Sequence, residues 1–237
     1  MKKIEFSKLI LFEDEDYIVI NKPAFVSTLD DRVDKYSILE IGREYFPAIS
    51  AGHRLDKETS GVLVLTKNKE AYRNFAMQLE RREVKKVYHA ISDGRHEFIE
   101  KEIDAPLYTH GSKSLIDPRR GKLSQTIVTT MKIFKFHTLI NCKPITGRMH
   151  QIRVHLASIG APIAGDSTYG GKPVYLSDFK RGYNLKNFEE ERPLITRTSL
   201  HAFSITFKGV NQNEISIEAP YSKDMNAFIN QLEKAGR

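Results

Sequence analysis

Short apolar runs, separated by polar turns, constrain the fold of this chain more than any other feature of its sequence. Some are rich in β-branched and aromatic residues, and others alternate between apolar and polar side chains as half-buried strands do. The runs that predict strands are KLILF (8–12), YIVI (17–20), GVLVLT (61–66), KVYHAIS (86–92), SLHAFSITF (199–207) and EISIEAP (214–220). Since most links between strands are short, we expect an α+β fold with a mainly antiparallel mixed sheet and flanking helices and loops.

Apolar residues at helical spacing predict helices between these strands. The predicted helices cover 37–46, ended by Pro47; 68–82, capped by Asn68; 147–159, capped by Thr146; and a C-terminal segment followed by Gly236. The apolar faces of the last three are Tyr72, Phe75, Ala76 and Leu79; Met149, Ile152, Leu156 and Ile159; and Met225, Phe228, Ile229 and Leu232. These faces would pack against the sheet.

The chain has 237 residues, without a Pro- or Ser-rich linker or an internal repeat, so we expect one domain over residues 1–237. Residues 111–122 (GSKSLIDPRRGK) are polar and contain Gly and Pro, which predicts a loop or hairpin tip. Residues 172–199 are long, polar and irregular, which predicts a surface insertion.

The net charge and the cysteine content indicate which partners the protein binds and in which cellular compartment it lies. A formal net charge of +7 favours a polyanion such as nucleic acid or an anionic membrane surface. The single cysteine, Cys142, lies in the apolar run HTLINC, which predicts a buried thiol and excludes an intrachain disulfide. No apolar run has the length of a signal-peptide core or approaches the ~18 residues of a membrane span. We therefore expect a soluble, cytoplasmic protein with no membrane partner.

Several common kinds of site lack their sequence signature. The chain has neither GxGxxG after a strand nor GxxxxGK[ST], so no nucleotide cofactor is expected. It has no HExxH, and His150 and His155 would lie about 140° apart on a helix, so no metal site is expected. Ser60 lies in TSG rather than in the GxSxG of a nucleophile elbow.

HRLDKETSGVLVLT (53–66) is the first stretch with candidate catalytic residues, because a charged turn runs directly into a buried strand. A rigid strand behind a polar loop anchors the side chains of a site. Asp56 is the candidate carboxylate, and we expect Glu58 to be exposed. The alternative is that Asp56 and Thr59 only organise a turn.

ITGRMHQIRVHLASIGAPIAGDSTYGG (145–171) is the second such stretch, with Arg148, His150 and Arg153 near the start of a predicted amphipathic helix. A helix N-terminus beside arginines favours an anion. Arg153 lies next to the apolar stripe, and a buried arginine needs a partner, for which Asp56 is a candidate. The alternative is a solvated Arg153 on a surface helix.

Taken in order, HRLDKETSG, the K-x-Y of KKVYHAIS, and TGRMHQIRVHL followed by GDSTYGG resemble the catalytic pattern of the RluA/RsuA superfamily of RNA pseudouridine synthases, in its RluA branch. DEDYIVINKPAFV (14–26) and the segment 199–225 are similar to the opening and closing segments of that family, whereas residues 172–199 match no pattern in it. The resemblance implies a pseudouridine-synthase catalytic fold, here without the separate N-terminal RNA-binding domain of many relatives.

The resemblance also implies a reaction without a cofactor, in which the N1–C1′ bond of a uridine in RNA breaks, the uracil rotates, and C5 bonds to C1′. It implies that Asp56 is the catalytic carboxylate, that Arg153 pairs with it, and that Tyr88 lies against the uracil and moves a proton. Arg54 would enter the gap left by the flipped-out uridine. The other RNA-binding candidates are basic residues: Arg81, Arg82, Lys85, Arg119, Arg120, Arg148 and His150.

Two other functions stay open at this point. A pseudouridine-synthase-like domain could hold RNA without modifying it, although an intact set of Asp56, Tyr88 and Arg153 argues against that. A glycoside hydrolase would need a second carboxylate in a comparable motif, and sugar clefts usually contain Trp, which this chain lacks. The target, ribosomal or transfer RNA, is not named by the sequence, and we expect a monomer.

Overall fold

The chain forms two compact units. The computed structural model describes residues 4–30, 36–179 and 190–235. Unit 1 comprises Met1–Tyr88 and His201–Tyr221, and unit 2 comprises His89–Leu200 and Ser222–Arg237. The expectation of one domain over residues 1–237 stays a prediction.

Strands and helices are mixed along the chain. The strands are β1 (Ile10–Glu13), β2 (Tyr17–Lys22), β3 (Ser50–Ala51), β4 (Ser60–Thr66), β5 (Lys85–Asp93), β6 (Lys101–Asp104), β7 (Leu107–His110), β8 (Lys113–Ile116), β9 (Gln125–Ile133), β10 (His137–Pro144), β11 (Leu200–Lys208) and β12 (Glu214–Glu218). The α-helices are α1 (Ile38–Tyr45), α2 (Lys69–Glu80), α3 (Gln151–Ser158) and α4 (Lys223–Ala235). Pairs such as β1–β2, β2–β4 and β9–β10 are antiparallel, and β4–β11 is parallel. The predicted α+β class with a mainly antiparallel mixed sheet is therefore confirmed.

In unit 1 the strands lie in the order β1-β2-β4-β11, with β3 added to β4 and β12 added to β11. β4 is buried along its whole length because both of its faces are covered. Leu63 and Leu65 point to one core, to which α1 contributes Ile38. Val62 and Val64 point to the other core, to which α2 contributes Phe75, as expected from the alternation of side chains along a strand.

In unit 2 the order is β5-β10-β9-β6, and β7 and β8 form a separate hairpin. Cys142 on β10 is buried, as predicted. α4 buries Met225, Phe228, Ile229 and Leu232, which confirms the predicted apolar face, while Gly236 lies outside the described residues.

The predicted cap of α2 is confirmed, but the buried face of this helix is not the predicted one. Ser37 begins α1, and the Asn68 side chain accepts a hydrogen bond from Ala71 N–H at the start of α2. Tyr72 is 49% exposed, and Gln78 is buried in its place. Gln78 is buried because its amide bonds both the N–H and the carbonyl of Lys208, which satisfies its polar atoms.

The prediction for α3 is wrong about the residue at which the helix begins and about how much of the helix is buried. The helix begins at Gln151, after His150 with a left-handed φ of 55°, and not at 147. Thr146 does not cap it, because its hydroxyl donates to the Gln151 side chain (2.7 Å) and accepts from Gln125 N–H (3.0 Å). Residues 151–156 are all buried, so α3 is a core helix rather than an amphipathic surface helix.

Three further predictions need correction. Phe6–Leu9 is a 3-10 turn, so the first strand begins at Ile10 rather than at residue 8. Of the loop or hairpin tip predicted over 111–122, the hairpin is what forms, but the segment also contains β8, which pairs with β7. The segment 172–199 is not simply a surface insertion, because its ends are buried, for example at Ile195 and Arg197, and 180–189 lies outside the described residues.

Candidate active site

The loop that contains Asp56 is held through the residue before it. Leu55 is buried, and the Thr28 hydroxyl accepts a hydrogen bond from Leu55 N–H (3.1 Å) and donates one to the Leu55 carbonyl (3.0 Å). Thr59 N–H donates to the Asp56 carbonyl at 3.0 Å, which closes a turn before β4. The backbone on both sides of the Asp56 side chain is therefore fixed, in agreement with the turn that the sequence predicts.

A second brace on this loop is Lys22, the last residue of β2. Lys22 is fully buried, and its ammonium group donates to the carbonyls of Val26 (2.8 Å) and Lys57 (3.3 Å). Phe25 N–H also donates to the Lys57 carbonyl at 2.8 Å. Neither Lys22 nor Thr28 was predicted from the sequence, because their partners are backbone groups, which leave no pattern in the side chains, and Lys57 and Leu55 lie far away in the sequence.

The glycine of the TSG motif is required by the close approach of two strands. Gly61 has a φ of 112°, and a Cβ atom there would come within 2.1 Å of the Ala202 carbonyl oxygen on β11. The neighbouring Ser60 hydroxyl lies 2.9 Å from Nδ1 of His201, also on β11. These contacts fix the start of β4 against β11, and so fix where the Asp56 loop leaves the sheet.

Asp56 and Tyr88 lie within electrostatic range of each other in unit 1. Tyr88 is half-buried on β5 and packs against the core that contains Leu55. Burial raises the pKa of the Tyr88 phenol, and the negative charge of Asp56 raises this pKa further. The phenol therefore stays protonated at neutral pH close to a carboxylate, as a proton donor requires.

His53 and Lys86 lie near each other at the root of this loop. Val64 N–H donates to Nε2 of His53 at 3.1 Å, so this nitrogen is an acceptor. Burial, with the nearby positive charge of Lys86, lowers the pKa of His53 to about 3. Burial also lowers the pKa of Lys86, which lies two residues before Tyr88 and therefore on the same face of β5. His53 is therefore uncharged at neutral pH and holds the loop to β4 through its hydrogen bond with Val64. This role of His53 was not predicted from the sequence.

The RNA-binding candidates of unit 1 lie at the surface. Arg54 is exposed next to Leu55, and Arg81 and Arg82 are exposed at the end of α2. Lys85, the first residue of β5, is exposed as well. Glu58, expected at the surface, is half-buried. Exposure is what a phosphate contact needs, and the RNA-binding role of these basic residues stays a prediction.

In unit 2 Arg153 is buried and paired with a carboxylate that sequence analysis did not identify. Its Nε and Nη2 atoms lie 2.6 and 2.8 Å from the two carboxylate oxygens of Asp166, and Asp166 is 1% exposed. The solvated arginine of the alternative interpretation is therefore wrong. The need of a buried arginine for a partner could have pointed to the GD of GDSTYGG, whereas the predicted pairing with Asp56 stays a prediction.

The other basic candidates of unit 2 precede α3 or lie in the turn that follows the β7–β8 hairpin. Arg148 is exposed, with Nε 3.2 Å from the Leu123 carbonyl, and His150 is half-buried. Arg119 and Arg120 are exposed, but Arg120 already has partners: Nε lies 2.7 Å from Asp117, and its guanidinium carbon lies 4.3 Å from the centre of the Tyr108 ring. Arg120 is therefore the more constrained of the two.

Within 4–30, 36–179 and 190–235, no three His, Cys, Asp or Glu side chains are grouped so that they could hold a metal ion. No helix in this part of the chain is long and apolar enough to cross a membrane.

Known proteins resemble this chain over most of its length. The sequence model of a family described as RNA pseudouridylate synthase matches residues 16–158. The ribosomal large subunit pseudouridine synthase C of Pasteurella multocida is 32% identical over 98% of this chain and 70% of its own length. The protein of the same name from Buchnera aphidicola is 38% identical over 86% of this chain and 64% of its own length. The protein of the same name from Escherichia coli K12 is 31% identical over 99% of this chain and 73% of its own length.

Solved structures give the same fold. Human RNA pseudouridylate synthase domain containing 1 superposes with a TM-score of 0.70 at 26% identity, over 93% of this chain and 86% of that one. Human RNA pseudouridylate synthase domain containing 4 also has a TM-score of 0.70, at 22% identity over 96% of this chain and 94% of that one. The predicted catalytic fold is therefore confirmed.

Proposed function

This chain belongs to the RNA pseudouridylate synthase family and is an RNA pseudouridine synthase, and on that premise we propose that it isomerises uridine to pseudouridine in large-subunit ribosomal RNA with Asp56 as its catalytic carboxylate. The observation that most supports this assignment is the braced loop that places Asp56 near Tyr88 in unit 1. A fixed carboxylate beside a protonated phenol combines a nucleophile and a proton donor, and the resemblance assigns both to the same reaction.

Each residue has a defined task in this proposal. Asp56 acts on the flipped-out uridine while the N1–C1′ bond breaks, and it releases the product when C5 has bonded to C1′. The C5 proton is lost and N1 gains a proton, so one residue must move protons, and the resemblance assigns this task to Tyr88, whose raised pKa keeps the phenol protonated at neutral pH. The resemblance assigns to Arg153 the task of balancing a negative charge during the reaction, and the bidentate pair with Asp166 holds its Nε and Nη2 atoms in place.

RNA binding is assigned to the exposed basic residues. Arg54, next to the braced Leu55, would stack in the gap left by the uridine, since guanidinium groups stack on bases and bind phosphate. The remaining candidates would contact phosphates, which supply most of the affinity of such proteins and make it depend on salt. The candidates are Arg81, Arg82, Lys85, Arg119, Arg120, Arg148 and His150.

The ribosomal target rests on the relatives, several of which are named ribosomal large subunit pseudouridine synthase C. A cytoplasmic location and a monomeric state belong to the same proposal, as does the absence of a metal or cofactor. Mapping pseudouridine in ribosomal and transfer RNA from cells with and without this protein tests the target. Loss of a site from transfer RNA alone would contradict it.

The catalytic assignment is tested by Asp56→Asn, which we expect to abolish release of tritium from RNA that contains C5-tritiated uridine. An amide is too weak a nucleophile, and loss of a nucleophile costs several orders of magnitude in rate. Filter binding of the same RNA should change little, because most contacts are phosphate contacts elsewhere. Glu58→Gln is the matched control, since it removes a carboxylate from the same loop and should keep activity.

Three outcomes separate the alternatives. Near-normal tritium release by Asp56→Asn would contradict the catalytic role of Asp56. Loss of both release and binding in a folded variant would make Asp56 an RNA-positioning residue. A wild-type protein that binds the RNA and modifies none of its uridines would be the binding module rather than the enzyme.

A further inference from the structure

Tyr169 joins the Arg153 ion pair to the β7–β8 hairpin with two different parts of its side chain. The Arg153 guanidinium carbon lies 5.0 Å from the centre of the Tyr169 ring, which is a cation–π contact. The Tyr169 hydroxyl accepts a hydrogen bond from Ser114 N–H of β8 at 2.9 Å and lies 2.8 Å from Nδ1 of His150. All of these residues belong to unit 2.

The turn that holds Tyr169 is fixed by the same carboxylate residue that binds Arg153. The Asp166 carbonyl accepts hydrogen bonds from Tyr169 N–H (3.1 Å) and Gly171 N–H (2.8 Å), while the Asp166 carboxylate binds Arg153. A Cβ atom on Gly171 would lie 1.8 Å from the Ile163 carbonyl oxygen, so only glycine fits at this position. The GDSTYGG segment therefore sets the positions of Arg153 and Tyr169 together.

These contacts exceed what packing requires of a tyrosine. Tyr169 is half-buried, and a ring that only filled space could leave its hydroxyl in water. Here the hydroxyl instead holds a strand whose Ser114 is 2% exposed, in a hairpin that leads directly to Arg119 and Arg120. The ring faces the arginine that is assigned to the reaction, and the hydroxyl holds the hairpin that is assigned to RNA binding.

We propose that Tyr169 is a positioning residue with two separable tasks: its ring orients the Arg153 guanidinium for the reaction, and its hydroxyl fixes the β7–β8 hairpin as part of the RNA-binding surface. This inference rests on the proposed function. It assigns a role to the tyrosine of the GDSTYGG segment that goes beyond its resemblance to a family motif.

The test compares Tyr169→Phe with Tyr169→Leu, assayed on a transcript of large-subunit ribosomal RNA made with C5-tritiated uridine. Tyr169→Phe keeps the ring over Arg153, so kcat should stay within about twofold while KM rises about fivefold to tenfold, the effect of one or two lost neutral hydrogen bonds. Tyr169→Leu also removes the ring, so kcat should fall by about tenfold or more. Tyr72→Phe on α2 is the control, since Tyr72 is exposed and its hydroxyl has no hydrogen-bond partner among the described residues.

Amide exchange and filter binding test the hairpin without relying on turnover. Tyr169→Phe should speed hydrogen exchange in residues 107–116 and weaken RNA binding, whereas Tyr72→Phe should do neither. Unchanged exchange and KM in Tyr169→Phe, or equal kcat in the Phe and Leu variants, would overturn the inference. A wild-type protein that releases no tritium would instead contradict the proposed function, and the exchange result would still decide the role of the hydroxyl. Thermal melting confirms that each variant is folded.

Discussion

Burial and neighbouring charge act in the same direction on Tyr88 and in opposite directions on Asp224. At Tyr88 burial raises the pKa and the charge of Asp56 raises it further, so the phenol keeps its proton. At Asp224 burial would raise the pKa, but hydrogen bonds from Arg197 and Ser222 outweigh it and hold the pKa at about 2. The first residue therefore keeps its proton at neutral pH, and the second keeps its negative charge.

Tyr88→Phe should keep the fold and RNA affinity and lower the rate of pseudouridine formation by about 10²- to 10⁴-fold, the usual contribution of a general acid or base. The ring would still pack against the core, and only the proton of the hydroxyl is lost. Because the pKa of Tyr88 is raised above its ordinary value of 10, wild-type kcat should show no loss from phenol ionisation below about pH 10. Tritium release measured across pH checks both points, and near-normal turnover of the Phe variant would reduce Tyr88 to a packing residue.

The site residues that can be predicted from the sequence are those that belong to a recognisable local motif. Asp56 could be found because a charged turn runs into a buried strand, and the structure confirms that turn. Thr28, Lys22 and Asp166 could not be found in this way. Their tasks depend on distant backbone groups or on a partner thirteen residues away, and only the folded chain brings these groups together.

Among the helices, the single apolar face of α4 was predicted well, and the burial of α3 on several sides was not. α4 has one apolar stripe and buries all four predicted residues. α3 is buried from 151 to 156, so its periodicity does not mark a face, and the left-handed His150 rather than Thr146 precedes it. The buried Gln78 of α2 was missed because periodicity counts apolar residues and not satisfied amides.

The start of α4 is held by a fully buried cation, Arg197. Its Nε and Nη2 atoms lie 2.7 and 3.1 Å from the carboxylate of Asp224, and its Nη1 donates to the carbonyls of Thr198 and Leu200. An arginine buried in this way depends on its acidic partner. The Arg197–Asp224 pair therefore ties α4 to the segment that enters β11.

Asp224→Asn should lower the free energy of unfolding at pH 7 by about 1–2 kcal/mol, a figure reduced because the Asp224 side chain is 37% exposed. The folded-state pKa of about 2 lies below the ordinary 3.8, so the stabilisation is present above about pH 4 and is lost as pH falls toward 2. Urea unfolding at several pH values should show the difference from wild type shrinking over that range. Glu233 lies on the same helix and forms an exposed ion pair with Lys132 of β9. Glu233→Gln breaks this pair and should change the free energy of unfolding by at most ~0.5 kcal/mol. A difference for Asp224→Asn that is constant with pH would contradict the pairing.

The β7–β8 hairpin and the turn that follows it should contribute to RNA binding mainly through Arg119. Arg119→Gln should reduce the slope of log affinity against log salt by about 0.7–0.9, the value for one phosphate contact. Arg120→Gln should reduce it by less, because Asp117 and the Tyr108 ring already engage its charge. Filter binding at several salt concentrations measures both slopes, and an unchanged slope for Arg119→Gln would remove this hairpin from the RNA surface.

At the scale of the whole molecule, a net charge of +7 attracts any polyanion, so the charge alone does not say where RNA binds. The structure shows which of the basic residues are exposed and which are buried. Arg81, Arg82 and Lys85 are exposed around the end of α2 and the start of β5, whereas Arg153 and Arg197 are buried and paired with carboxylates. Only the first group is available to phosphates.

The contribution of position can be separated from that of net charge by two triple variants. Arg81→Ala, Arg82→Ala and Lys85→Ala together lower the net charge from +7 to +4, and so do Lys135→Ala, Lys208→Ala and Lys234→Ala, three exposed lysines outside the proposed surface. If the first group contacts phosphates, its loss should reduce the salt slope by about 2–3 and weaken binding at 0.15 M salt by tenfold or more. The second variant should leave the slope nearly unchanged, because distant exposed charges are screened beyond about 8 Å at that salt concentration. Equal losses in the two variants would mean that net charge, and not a surface beside Lys85, governs the affinity for RNA.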